Sequence, residues 1–117
     1  MCSSDLIDLI DGYRFTSGEI NTFHTFSQTY GYFEMRAKVP AVYGSWSAFW
    51  LKRENGAWPP ELDIMEVLGR DTKTLHVTVH AIFDYKNIHS EAVYVPDTSL
   101  AFHTYGVDWE PDRKSVV

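Results

Sequence analysis

Three carboxylates fall within one short run, Glu61-Leu62-Asp63-Ile64-Met65-Glu66, each separated from the next by apolar residues. In a regular strand the side chains alternate, so Glu61 and Asp63 would share a face with Met65 while Glu66 joined Leu62 and Ile64 on the other. One extra residue, a β-bulge, resets the alternation so that all three carboxylates point one way, and bulges are common beside active sites. The apolar residues then face a core. Two carboxylates facing a groove suit glycosidic bond cleavage: one attacks the anomeric carbon or activates water, and the other protonates the leaving oxygen. Asp63, lying between the glutamates, would raise their proton affinity by like-charge repulsion and could share a proton with one of them. For the bare run a solvated strand face and a calcium site remain alternatives.

The flanking segments are those that such a strand needs. Gly44 to Leu51 concentrates Trp46, Phe49 and Trp50, and on strand alternation Trp46 and Trp50 share a face with Ala48 while Phe49 and Leu51 point the other way. The C–H face of a pyranose stacks on indole, so tryptophans beside a carboxylate strand suggest sugar subsites, with a core aromatic cluster as the alternative. Lys52 to Trp58 reads as a polar loop that sets Trp58 at the edge of the cleft. After a turn at Gly69-Arg70-Asp71-Thr72-Lys73, Leu75 to Ile82 alternates again, with Leu75, Val77 and Val79 on one face and His76, Thr78 and His80 on the other. Two histidines four apart on a strand have Cα atoms about 13 Å apart, and no third ligand is evident, so no metal is assigned.

Elsewhere the pattern is also that of strands. Phe33 to Val39 alternates apolar and charged residues and ends at Pro40, which removes a ladder donor. Tyr13 to Ser27 is rich in aromatic and β-branched residues and predicts two strands broken at Ser17-Gly18. From Phe83 to Leu100 loops surround a short strand at Ala92 to Val95, and Phe102 to Trp109 is predicted as the last strand. Short strands divided by turn signals, with no amphipathic helix, point to an all-β antiparallel sandwich.

Composition bounds the partners. At 117 residues, 44% hydrophobic and 15% aromatic, the chain holds one globular domain at most. A net charge of -6 argues against nucleic acid or an anionic membrane and favours a neutral ligand. No apolar run reaches about 18 residues, so no membrane-spanning helix is predicted. Cys2, the single cysteine, has no internal disulfide partner. The two ends read as translated sequencing adapter: Asp112 to Ser115 can be encoded by GATCGGAAGAGC, whose reverse complement can encode Ser3, Ser4 and Asp5 in another frame. Residues 1–6 and 112–117 are therefore expected to be foreign, and 7–111 to be the native part of a partial catalytic domain.

These blocks together resemble glycoside hydrolase family 16 in its laminarinase-like, bulged form. The resemblance rests on Trp58-Pro59-Pro60 with the carboxylate run and Val67-Leu68-Gly69, on Tyr30 to Pro40, Gly44 to Leu51 and Thr78-Val79-His80, and on Phe102 to Tyr105 with Asp108-Trp109. It implies a concanavalin-like jelly roll, of which this chain is expected to hold roughly the first half, and a retaining endo-hydrolase of a β-1,3- or mixed-linkage β-glucan. Glu61 would be the nucleophile, Glu66 the general acid/base and Asp63 the auxiliary carboxylate. Trp46, Trp50, Trp58, His80 and Asn21 would touch substrate, with His80 matching a histidine near the acid/base. The resemblance further implies no required cofactor, a structural calcium in the complete domain, a monomer, and secretion or a periplasmic location. Exopolysaccharide or galactan endo-glycanases, transglycosylases and non-catalytic glucan-binding modules share the family pattern. The presence of both glutamates favours an enzyme over a binding module.

Overall fold

A computed structural model describes residues 16–81, 88–112 and 114–116. Among them there is no helix, and the strands form two antiparallel sheets. In chain order the strands are β1 (Gly31–Ala37), β2 (Trp46–Lys52), β3 (Glu61–Leu68), β4 (Asp71–His80), β5 (Ile88–Tyr94), β6 (His103–Trp109) and β7 (Lys114–Val116). One sheet has the order β2-β3-β4-β5 and the other β1-β6-β7. This is the predicted all-β sandwich.

The alternation read in the sequence sets which face each strand buries. On β1, Phe33, Met35 and Ala37 are half-buried while Tyr32, Glu34 and Arg36 are exposed. Across from β1, Tyr105 and Val107 of β6 are buried. Beneath the first sheet, Met65 and Val67 pack with Val39 and Tyr105, and Leu62 and Ile64 pack with Val107. The most buried strand of the molecule is therefore the one that carries the carboxylates, with core below it and the groove face above.

Hairpin turns and a long-range tie hold these strands in register. Gly69 donates its N–H to Ser45 O at 2.9 Å, and a Cβ at this position would collide with the Ser45 hydroxyl and the Val42 carbonyl. Glycine is thus required where the end of β3 passes the start of β2. At the other side, Asp97 accepts hydrogen bonds from Thr72 Oγ1 at 2.8 Å and Ser99 Oγ at 2.6 Å. Thr98 returns its own N–H and hydroxyl to Thr72 O. The crossing from β5 to β6 is thereby pinned to the start of β4.

Several expectations need correction. The described part of the tract from Tyr13 to Ser27 contains no strand. Strand propensity becomes a strand only when a neighbour completes the ladder, and here the backbone closes on itself instead: Thr25 and Phe26 donate to Thr22 O, and Phe23 N–H donates to Asn21 Oδ1. The turn after β3 is confined to Gly69 and Arg70, so β4 begins at Asp71. β5 starts at Ile88 rather than Ala92, because pairing with β4 organises residues whose own pattern is loop-like. β6 is followed by β7, which pairs Val116 with Val107 and lies in the stretch that the adapter reading set aside. The tract from Ile82 to Asn87 and the residues before Thr16 lie outside the described residues.

Candidate active site

The register of β3 against β2 creates the site. Lys52, Leu51 and Trp50 pair with Glu61, Leu62 and Asp63, and then Phe49 pairs with Met65 and Ala48 with Glu66. Ile64 is the extra residue. It breaks the alternation so that Ile64 and Met65 both enter the core, at 0% and 1% exposure, and Glu66 emerges on the side of Glu61 and Asp63. Against β4 the same shift pairs Glu61 with His80, Asp63 with Thr78 and Glu66 with His76. Directly paired residues share a face. The groove face therefore carries Trp46, Ala48, Trp50 and Lys52 on β2, the three carboxylates on β3, and His76, Thr78 and His80 on β4. The six residues of β3 from Glu61 to Glu66 are matched by five on each neighbour, so Glu61 and Glu66 are four strand steps apart, about 13 Å between Cα atoms before the bend of the bulge.

The carboxylates differ in environment. Asp63 is buried, whereas the Glu61 side chain is 22% exposed. Burial, reinforced by like-charge repulsion from Glu66 and Glu61, pushes the Asp63 carboxyl up to about 6, and His80 opposes the shift. His80 Nε2 lies 3.1 Å from Asp63 Oδ2 and 3.8 Å from Glu61 Oε1. The Nδ1 atom of this ring is buried with no partner among the described residues. A proton on Nε2 lets the ring donate to Asp63 and leaves at Nδ1 a lone pair rather than an orphaned N–H. Glu61, Asp63 and His80 also offer ligand atoms within 4.8 Å of one another, a spacing that a cation can bridge.

Aromatic residues flank this row. Trp46 is 67% exposed and Trp58 54% exposed, and the Trp58 ring stands 5.5 Å from the His80 ring. Trp50 is half-buried, with Lys52 Nζ 4.7 Å above its ring. The side-chain hydrogen bonds of Asn21 are local: its amide donates to Glu19 and its carbonyl accepts from Phe23 N–H in an exposed turn. His80 pairs with Glu61 and contacts Asp63, and His76 is the histidine opposite Glu66. Two groove residues escaped the sequence reading. Lys52 continues the alternation of Trp46, Ala48 and Trp50 into β2 rather than opening a loop; Ser90 lies in a polar stretch whose sequence carries no pattern that marks it as strand.

A sequence profile of glycosyl hydrolases family 16 matches residues 6–116. The chain belongs to that family. Among curated family relatives, the endo-1,3-1,4-beta-glycanase ExsH of Rhizobium meliloti (strain 1021) is 50% identical over 105 residues, covering 89% of this chain and 22% of the relative. The beta-glucanase of Rhodothermus marinus is 33% identical over 114 residues, covering 88% of this chain and 40% of the relative. Among solved structures, the laminarinase from Rhodothermus marinus superposes with a TM-score of 0.84 at 29% identity, covering 95% of this chain and 48% of that one. The laminarinase catalytic domain from Thermotoga maritima MSB8 gives 0.73 at 35% identity, covering 82% and 42%. The chain thus spans under half the length of each of these family 16 proteins.

Proposed function

We propose that this chain carries the catalytic strand of an endo-acting, retaining β-glucan hydrolase, acting on β-1,3 or mixed 1,3-1,4 linkages outside the cytoplasm. The single observation that carries this reading is the bulge at Ile64, which puts Glu61, Asp63 and Glu66 on one face of β3 between tryptophan-bearing and histidine-bearing neighbours. The names of the relatives, endo-1,3-1,4-beta-glycanase and laminarinase, support the linkage. In the first step the Glu61 carboxylate attacks the anomeric carbon while Glu66 gives its proton to the leaving glycosidic oxygen, and a glycosyl ester forms on Glu61. In the second step Glu66, now a carboxylate, takes a proton from water, and the water oxygen displaces Glu61 from the anomeric carbon. Asp63, bonded to His80 and held between the two glutamates, orients Glu61 and keeps negative charge near the oxocarbenium-like transition state. Trp46, Trp50 and Trp58 stack on sugar rings.

The test replaces each glutamate by its isostere in a full-length protein carrying this segment. Glu61→Gln and Glu66→Gln are each expected to lower turnover by at least about tenfold, roughly 1.4 kcal/mol in the barrier, while polysaccharide binding persists. Azide then distinguishes the roles. With an activated substrate, loss of Glu61 yields an α-glycosyl azide by direct displacement, and loss of Glu66 yields a β-glycosyl azide from the glycosyl-enzyme. Retention of turnover in both variants would refute the assignment.

A further inference from the structure

One polar pair on the groove face plays no part in the chemistry above. Thr78 Oγ1 and Ser90 Oγ lie 3.1 Å apart across β4 and β5, and either can be the donor. Thr78 is opposite Asp63 on β3, and Asp63 is opposite Trp50 on β2. Ser90 is opposite Thr78 on β5. Four directly paired residues, Trp50, Asp63, Thr78 and Ser90, thus form one row across the sheet, perpendicular to the strands and on one face.

We infer that the Thr78–Ser90 hydroxyl pair is a sugar-hydroxyl subsite on the β5 side of the catalytic strand, and that it binds the glucan chain as it crosses from β3 to the outer strand. The inference rests on the proposed glucanase reading. The chemistry is that of counting protons. Two hydroxyls carry two protons, and the bond between them uses one, so whichever residue donates, one O–H and several lone pairs remain. Thr78 is 7% exposed whereas Ser90 is exposed; with Thr78 as the donor, the free O–H and the remaining lone pairs of Ser90 are presented toward the groove. A fixed hydroxyl with both a donor and lone pairs is matched to a sugar hydroxyl, which also gives one proton and accepts others.

Position makes the pair specific to sugars beyond the cleaved bond. Ser90 stands two strands from Asp63, about 10 Å at ordinary strand spacing, too far to reach the reacting carbon. Its neighbours along β5 on the same face are Ala92 and Ile88, opposite His76 and His80. Ala92 is small, which leaves the hydroxyl accessible beside it. The groove is therefore asymmetric. On the β2 side, Trp46 and Trp50 offer stacking faces that tolerate any pyranose; on the β5 side, hydroxyls read the positions of sugar oxygens.

The experiment compares β-1,3-1,4-gluco-oligosaccharides of graded length with the full-length protein and its Ser90→Ala and Ser90→Thr variants. The readout is the ratio of kcat/KM for the longest oligosaccharide to that for the shortest one cleaved. In Ser90→Ala this ratio is expected to fall about fivefold, the loss of one neutral hydrogen bond, with the change carried by KM. Ser90→Thr keeps the hydroxyl and should hold the ratio near that of the parent. An unchanged ratio in Ser90→Ala, or an equal fall in both variants, overturns the subsite. So does a Ser90→Ala protein that cannot fold beside a Ser90→Thr protein that can, because the pair would then serve the fold. The outcome is separable from the parent reading: loss of turnover in Glu61→Gln with an unchanged Ser90→Ala ratio removes the subsite alone, whereas full turnover in both glutamate variants removes the glucanase.

Discussion

Asp63 is the residue on which the electrostatics of the site converge. It is buried, it sits between two other carboxylates, and its neighbour His80 holds one of its oxygens at 3.1 Å. With its carboxyl raised to about 6 from 3.8, mainly by burial, the folded protein binds the Asp63 proton more tightly than the unfolded chain does. The sign follows: any stability from this protonated carboxyl is fully present below pH 3.8 and is lost as pH rises through about 6. Asp63→Asn removes the titration. The difference in Tm between Asp63→Asn and the parent, measured from pH 4 to 7, should therefore grow in favour of the variant as pH rises through about 6. A flat difference would show that Asp63 titrates as an ordinary carboxyl. Asp97 behaves oppositely, held down to about 2 by hydrogen bonds from Ser99 and Thr72, so its contribution is present above pH 3.8 and lost on acidification. At this scale the carboxylates were legible because a single bulge residue brings all three to one face while burying the apolar residues between them. The partnership of His80 with Asp63 was not, because it depends on which residue of β4 lies opposite, and that register is set by the length of a turn.

At the scale of elements, the bulge is the feature that the sequence announces most clearly. Glu61, Asp63 and Glu66 can share a face only if one residue between Asp63 and Glu66 is surplus, and the two apolar residues there can both be buried. Ile64 is fully buried, against Val107 with Phe33 and Leu51 nearby. Ile64→Ala should cost about 2–5 kcal/mol in denaturant unfolding of the full-length protein. It should also lower activity more than a mutation of equal stability cost elsewhere in the core, since the same side chain fixes the step that turns Glu66 outward. A loss of stability below about 1 kcal/mol would mean that the bulge is not anchored by this side chain. The elements that were not legible share one cause. Residues 16–27 have strand-like composition but make only local turns, and Ile88 to Ser90 have loop-like composition but are strand because β4 pairs with them. In both places tertiary pairing, not propensity, decides.

Among the described residues the two sheets form a sandwich. Between the sheets lies a cleft of about 590 Å³, walled by Leu75, Val77 and Val79 of β4, Val93 and Val95, and Tyr105. Large apolar side chains are also exposed, among them Ile20, Tyr43, Tyr94 and Leu100. Apolar surface of this kind and unpaired strand edges are association surfaces. The isolated 117-residue chain is therefore expected to associate rather than to unfold as a cooperative monomer, and a single reversible thermal transition at sedimentation-verified monomer mass would contradict this. On the proposed reading, the stereochemistry of cleavage by a full-length protein carrying this segment tests the central claim. If Glu61 and Glu66 lean toward each other across the bent strand, their carboxyls fall near the separation of about 5–5.5 Å that retention requires, rather than the wider gap of about 6.5–9.5 Å that admits a water. Proton NMR of the first products released by the full-length enzyme from a β-glucan should show the β-anomer before mutarotation. Initial release of the α-anomer would contradict the double displacement and the role of Glu61 together.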